Sequence, residues 1–422
     1  MSSRPPRPSP GALRRRSLRG LDLLNFFMAT VQTGFGPFIA VYLTAHSWTQ
    51  VQIGLVLSIG TISGMASQIP AGALIDATPR KRLAAAIALI GIMLSAIGLG
   101  LWPTPLPVLI AEVLHGFASA MLVPAIAAIS LTLVSQRELG ERLGRNARWA
   151  SIGNGLAAAA MGAIGYAISF RAVFLVTAVL AVPSLMALGM IRRVGPAQTG
   201  HARAIGERPP RWAWWQVFLD RRLLAFAGCS ALFQLASAAM LQLVGGELTK
   251  EAGTAASLVI AACIVVPQMV VAALSPWVGR AAERFGRRPI LLLGFLALPV
   301  RALLFAVVVS PLLVVPVQAL DGIAAAAFGV LVPLIAADIT VGSGRFNLCM
   351  GAIGLAGGIG AALSTTLAGA IADGFGAGAA FLALAAAGFG AVLLVWAAMP
   401  ETKPAVAAAT SRKAAFAAAA RR

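Results

Sequence analysis

Long apolar runs separated by short polar segments recur along almost the whole chain. Twelve can be delimited, near residues 21–43, 50–73, 83–101, 106–134, 147–168, 171–191, 222–245, 254–278, 289–310, 312–339, 347–372 and 379–399. At about 1.5 Å per helical residue, most are long enough to cross a hydrocarbon core of roughly 30 Å. Several exceed that need, which predicts tilt or helical extension beyond the membrane. Ten-residue segments of alternating polarity are missing, so a β-barrel is excluded. The pattern predicts an all-α integral membrane protein with twelve transmembrane helices.

The polar segments divide by charge. Those after runs 2, 4, 6, 8 and 10, with both tails, hold Arg14–Arg16, Arg80–Arg82, Arg142, Arg145, Arg192, Arg193, Arg287, Arg288 and most other basic residues. The opposite segments hold only Arg171 and Lys250. Positive-inside orientation then places both termini in the cytoplasm, and the protein in the plasma (inner) membrane. Composition agrees: of 422 residues 59% are hydrophobic and 11% charged, with a mean hydropathy of +0.87. The net charge of +19 lies in membrane-flanking loops. A nucleic-acid partner is therefore not expected, and the partner surface is the lipid bilayer. Cys229, Cys263 and Cys349 sit in or beside apolar runs without metal-ligand spacing and read as small buried hydrophobes.

Five segments follow. Residues 1–20 form a basic tail, rich in Pro, Ser and Arg and expected to be disordered. The first apolar run is too long for a signal-peptide core and reads as a retained span. Residues 21–191 and 222–399 each hold six runs, 192–221 is a cytoplasmic central loop, and 400–422 is a basic, Ala-rich cytoplasmic tail. Trp212, Trp214 and Trp215, at the end of the central loop, suit a membrane interface.

The two halves repeat one another. "GALIDATPRKR" (72–82) and "GRAAERFGRRP" (279–289) align Gly72 with Gly279, Asp76 with Glu283, Arg80 with Arg287 and Lys81 with Arg288. "LVPAIAAIS" (122–130) echoes "LVPLIAADI" (331–339), and "LGRN" (143–146) echoes "SGRFN" (343–347). Six runs is an even number, so the halves share one orientation, as pseudo-symmetric bundles about an axis along the membrane normal. In the hairpin, glycine allows a helix end to pass close to a neighbour. The acid can accept from another helix's N-terminus or from a nearby Arg. The paired basic residues can hold that acid or lipid phosphate.

With this hairpin in both halves, the chain resembles the major facilitator superfamily, from its first span to about Pro400. The resemblance implies transport by alternating access, two six-helix bundles rocking about a cavity lined mainly by spans 1, 4, 7 and 10. It also implies that the hairpins act as a conformational latch. The chain departs from the drug-efflux branch in span 4, with Glu112 and His115-Gly116 where that branch has Arg and Gln-Gly, and in span 5, which has no Gly-Pro pair.

Ionisable groups inside spans are the next candidates, since a charge at a helix centre costs about 2.5–3.5 kcal/mol on insertion scales. Arg301 and Asp321 lie about ten residues either side of the turn at Pro311, hence at one depth on adjacent antiparallel helices. An ion pair is predicted, serving either to tie spans 9 and 10 or to exchange partners during transport. Glu112 and His115, at i and i+3, share one face of span 4. They form a candidate proton relay or substrate anchor. Among uncharged polar groups, Asn25 and Gln32 in span 1, the Ser230–Gln234–Ser237 stripe in span 7 and Gln268 in span 8 could bond substrate or other helices. Asn154 and the Gly-rich stretches of spans 5 and 11 read as packing.

Catalytic, metal and nucleotide motifs are missing from the sequence, so neither an enzyme nor a cofactor is expected. The expectation is a monomeric secondary transporter of small molecules, proton-coupled and effluxing. An uptake symporter or uniporter is the alternative, and a transporter-like sensor or assembly partner a third.

Overall fold

The computed structural model describes residues 10–35, 38–191, 218–245, 256–307, 311–341 and 343–403. These form helices α1 (Pro10–Thr33), α2 (Phe38–Ala45), α3 (Gln50–Ala77), α4 (Lys81–Leu101), α5 (Pro105–Leu133), α6 (Leu139–Ala167), α7 (Phe170–Met190), α8 (Arg221–Ser237), α9 (Ala256–Phe285), α10 (Arg287–Val307), α11 (Pro311–Ile339), α12 (Phe346–Phe375) and α13 (Ala377–Ala398). There is no strand among the described residues. Local chemistry starts several of the helices. Thr49 and Gln52 form a reciprocal capping box on α3, with bonds of 3.3 and 3.0 Å. Ser169 caps α7, Asp220 caps α8, and Pro105 opens α5.

Helices α1 to α7 pack as one bundle and α8 to α13 as a second. The bundles meet chiefly through α3 against α12 and α6 against α9. Both contacts are tight at one end. A Cβ on Gly72 would overlap the Asn347 carbonyl, and one on Gly351 the Gln68 carbonyl. In the other pair, Gly279 meets the backbone of Gly140, and Gly144 that of Ser275. Every one of these residues has its counterpart 207 positions away, so one crossing is built twice. Toward the other end, a Cβ on Gly54, Gly162 or Gly369 would meet nothing within 4 Å. The bundles thus interlock at the end carrying the basic hairpins, here the basic end, whereas these three glycines take no part in a close helix approach.

Several boundaries differ from the sequence reading. Helix α1 starts at Pro10, so the second half of the segment expected to be disordered is helical. Its polar first turns are held by the fold: Arg14 pairs with Glu138 at 2.7 Å, and Gly20 packs on the Ala187 carbonyl. The first crossing breaks between α1 and α2. The fifth starts at Leu139 rather than 147 because Arg142 and Arg145 find Asp22 on α1. Among the described residues eleven helices are long and apolar enough to cross a membrane, and α6 is not one of them, because Gly153, Asn154, Gly155, Gly162 and Gly165 dilute its uncharged stretch. The hairpin glycines and acids prove to be the ends of α3 and α9 rather than loop. Finally, "LGRN" lies inside α6, whereas "SGRFN" leads into α12; the true counterpart of Asn347 is Gly140. Most of the central loop, Lys250, and the tail beyond residue 403 lie outside the described residues.

Gly279→Ala is expected to prise the basic end apart, because the added methyl collides with rigid backbone. Labelling of a Ser275→Cys thiol at this crossing should then rise several-fold, while Gly162→Ala leaves it at the parent rate. Equal labelling in the two variants would show that the glycine contact does not hold this end closed.

Candidate functional site

The polar side chains gather at two levels: the basic end and the middle of the bundles. At the basic end each bundle lends a carboxylate to the other. Helix N-termini present unpaired N–H groups and a positive dipole end, which an acid can satisfy. Asp76, ending α3, accepts from Asn347 N at 3.0 Å, Asn347 Nδ2 at 2.6 Å and Leu348 N at 2.8 Å, all in the first turn of α12. Glu283, ending α9, accepts from Gly140 N at 3.2 Å in the first turn of α6.

The four hairpin cations do not behave alike. Arg287 is 1% exposed and bridges Glu283, at 3.1 and 3.2 Å, to Asp338 of α11, at 3.0 Å. Its counterpart Arg80 is exposed, and Lys81 turns instead onto the carbonyls of Ile75 and Asp76 at the end of α3. Arg288 donates to the Trp396 carbonyl at the end of α13. Beyond that helix the chain folds back. Glu401 accepts from the backbone of Arg287 and Arg288 at 2.9 and 3.1 Å, capping α10.

Sequence reasoning missed three acids here. Asp22 binds the buried Arg142, and Arg145 at 2.8 Å, joining α1 to α6. Asp338 and Glu401 complete the opposite cluster. Asp22 and Asp338 could have been found as acids inside apolar runs. Glu401 and its N-cap role carried no such signal.

At mid-depth, Glu112 and His115 share a helix but part company. Glu112 is 4% exposed and lies against Gly60, where α3 and α5 cross closely through Gly64 and Gly116. Its Oε1 has no hydrogen-bond partner among the described residues. His115 instead turns to α1, where Gln32 Oε1 lies 3.2 Å from its Nε2 and also accepts from Ser119 at 3.1 Å. The imidazole stacks on Phe35 with centroids 3.8 Å apart. No hydrogen bond among the described residues joins Glu112 to His115, so the expected side-by-side relay is not assembled. Spacing of three placed both on one broad face, but two different helices cover that face.

In the second bundle Arg301 and Asp321 do form an ion pair. Arg301 also donates to Ser237 Oγ at 3.0 Å and lies 3.0 Å from Met240 Sδ. Of the uncharged candidates, Gln32 belongs to the His115 knot, and Gln234 lies beside Gly357 of α12. Gln268 packs near Gly155, at the α6–α9 contact between bundles. Asn25 is buried and donates to the Leu21 carbonyl of its own helix at 2.8 Å, so its amide donor serves α1 rather than a cavity. Asn154, read as packing, accepts from Thr33 at 3.0 Å. No metal-binding group of His, Cys, Asp and Glu occurs among the described residues.

Known proteins share this architecture. The profile of the Major Facilitator Superfamily matches residues 21–275 and 229–421. An uncharacterized MFS-type transporter of Mycobacterium tuberculosis, Rv2456c in strain H37Rv, is 38% identical over 402 residues, covering 93% of this chain and 95% of its own. Among solved structures, the proton:xylose symporter XylE superposes with a TM-score of 0.72 at 14% identity, over 93% of this chain and 96% of its own. The E. coli fucose:proton symporter FucP gives 0.73 at 14% identity, over 90% and 97%. The human organic anion transporter MFSD10 gives 0.69 at 15% identity, over 92% and 100%. With the family profile spanning both bundles and a close relative matched nearly end to end, the chain belongs to the major facilitator superfamily and is a multi-pass membrane transporter of small molecules, not an enzyme.

Proposed function

We propose that this transporter is proton-coupled and exports small molecules, with Glu112 carrying the proton. The observation behind this is the setting of Glu112: a buried carboxyl at a helix crossing, with one oxygen lacking any partner. An ionised, unpartnered carboxylate there would cost about 2.5–3.5 kcal/mol even on the mildest scale. The neutral acid therefore fits this conformation, and release of its proton requires a change at the α3–α5 crossing. Helix α3 also forms the contact with the other bundle, so rocking of the bundles would alter that crossing.

The hairpins complete the cycle as a latch. Asp76 on α12 and Glu283 on α6 would hold the basic end shut in one state and let go in the other. Lys81 and Arg287 bind the ends of α3 and α9 that carry those acids, while Arg288 ties the start of α10 to the end of α13. With both termini cytoplasmic, as the charge distribution supports, and the chain in the plasma membrane, the conformation described here is closed toward the cytoplasm. His115, Gln32, Gln234 and Asp321 would face cargo at mid-depth. Proton-coupled uptake is the second reading, favoured by two structural neighbours that are proton symporters.

The deciding experiment uses inverted membrane vesicles with an imposed proton gradient and a pH-sensitive dye, challenged with a panel of small molecules. For antiport, at least one compound should release protons through the wild type and none through Glu112→Gln. Proton release that survives in Glu112→Gln would remove Glu112 from the coupling role; proton and solute moving the same way would establish symport.

A second expectation concerns the ion pair. Asp321→Ala leaves Arg301 buried and alone, and should destabilise the protein by roughly 3 kcal/mol or more, read as a lower melting temperature. The charge swap Arg301→Asp/Asp321→Arg should restore most of that loss. If the swapped protein melts like the parent but does not transport, the pair does more than tie two helices together.

A further inference from the structure

The Arg301–Asp321 pair is one-sided. Arg301 is 1% exposed, and each of its three side-chain nitrogens is directed at protein: Asp321, Ser237 and Met240. It comes from α10, which packs only on other helices of its own bundle among the principal contacts. Asp321 is the inner partner. It stands on α11, which also touches α6 of the other half, and its side chain remains 29% exposed. Its Oδ1 takes Arg301 and, at 3.4 Å, Ser237 Oγ, while Oδ2 has no hydrogen-bond partner among the described residues. A solute entering between the bundles therefore meets a carboxylate oxygen first, with the guanidinium screened behind it.

The surroundings select further. Two turns along α11 from Asp321, toward the basic end, Phe328 stacks on Phe233 of α8, with centroids 4.1 Å apart and rings 7° from parallel. Phe233 is itself one turn from Ser237 on the same side of α8. Phe233 is buried and Phe328 half-buried, so Phe328, braced by Phe233, forms the aromatic floor beneath the carboxylate. Such a floor accepts an apolar body, and ring faces attract rather than repel a positive charge. An anion gains nothing from Arg301 unless the existing pair is first broken, which leaves Asp321 repelling it.

We propose that Asp321 is the specificity-determining group of the cargo site, and that the cargo class is an amphipathic organic cation, such as a protonated amine on an aromatic or aliphatic body. Asp321 Oδ2 binds the cationic head, Arg301 fixes the carboxylate from behind, and Phe328, braced by the buried Phe233, supports the body. This inference rests on the mid-depth cluster being the cargo site, as proposed above.

Matched probes test it. Tetraphenylphosphonium and tetraphenylborate share one shape and carry opposite charge. Binding of the labelled cation is measured on protein in lipid nanodiscs, with empty nanodiscs as the blank. Wild type should bind it saturably, with no competition from the anion. Asp321→Asn should weaken binding by about tenfold or more. Asp321→Glu should keep most of it. Should Asp321→Asn misfold, the double variant Arg301→Gln/Asp321→Asn removes both charges and leaves no lone buried cation; it should lose binding to the same degree. Preference for the anion, unchanged affinity in the charge-removed variants, or no saturable binding by wild type would each overturn the assignment. Binding is read without transport. A protein that binds the cation but moves no protons refutes only the coupling proposal, whereas one that moves protons with another solute and binds no cation refutes only this one.

Discussion

Two carboxylates set against the first turns of helices in the opposite bundle join the two bundles at the basic end. Each contact needs three things at once: a helix end with unpaired N–H groups, an acid on a neighbouring helix end, and no side chain between them. The last is why glycine recurs at 72, 140, 144, 279 and 351. Backbones that nearly touch bring the acid within reach of the N–H groups, and a single methyl group would separate them.

The twofold pattern is not carried through to the charges. Gly286 turns the second hairpin with φ +104°, a conformation open to glycine but not to proline. Its counterpart is Pro79. The chain therefore leaves the two turns differently. Arg287 is buried among Glu283, Asp338 and the backbone, while Arg80 reaches solvent and Lys81 takes over the helix end. The first bundle anchors its own buried arginine, Arg142, from a different helix through Asp22. Buried arginine is costly unless its charge is met, and each half meets that demand with an acid of its own.

At mid-depth the halves differ in kind. The first bundle offers a neutral knot of Gln32, His115 and Ser119 beside the isolated acid Glu112; the second holds a salt bridge with one accessible carboxylate oxygen. Under the two proposals above, the proton is handled in one half and the charged cargo in the other.

How much of this was legible from the chain depends on the range of the interaction. Hydrophobic run length was enough for the membrane-spanning helices, because bilayer thickness and backbone hydrogen bonding act on each segment independently, and the hairpin motif found twice was enough for the two repeated halves and the family. Depth counting along two adjacent helices was enough for the Arg301–Asp321 pair. What required the tertiary structure was every contact between elements distant in sequence. That α6 begins among charges follows from Asp22, more than a hundred residues earlier. That Glu112 and His115 separate follows from α3 and α1 covering different parts of one face. That Asn25 serves its own helix, that Glu401 caps α10, and that Arg80 and Arg287 diverge are likewise outcomes of packing. Periodicity places a residue on a face of its helix, but only the neighbouring helix decides what that face meets.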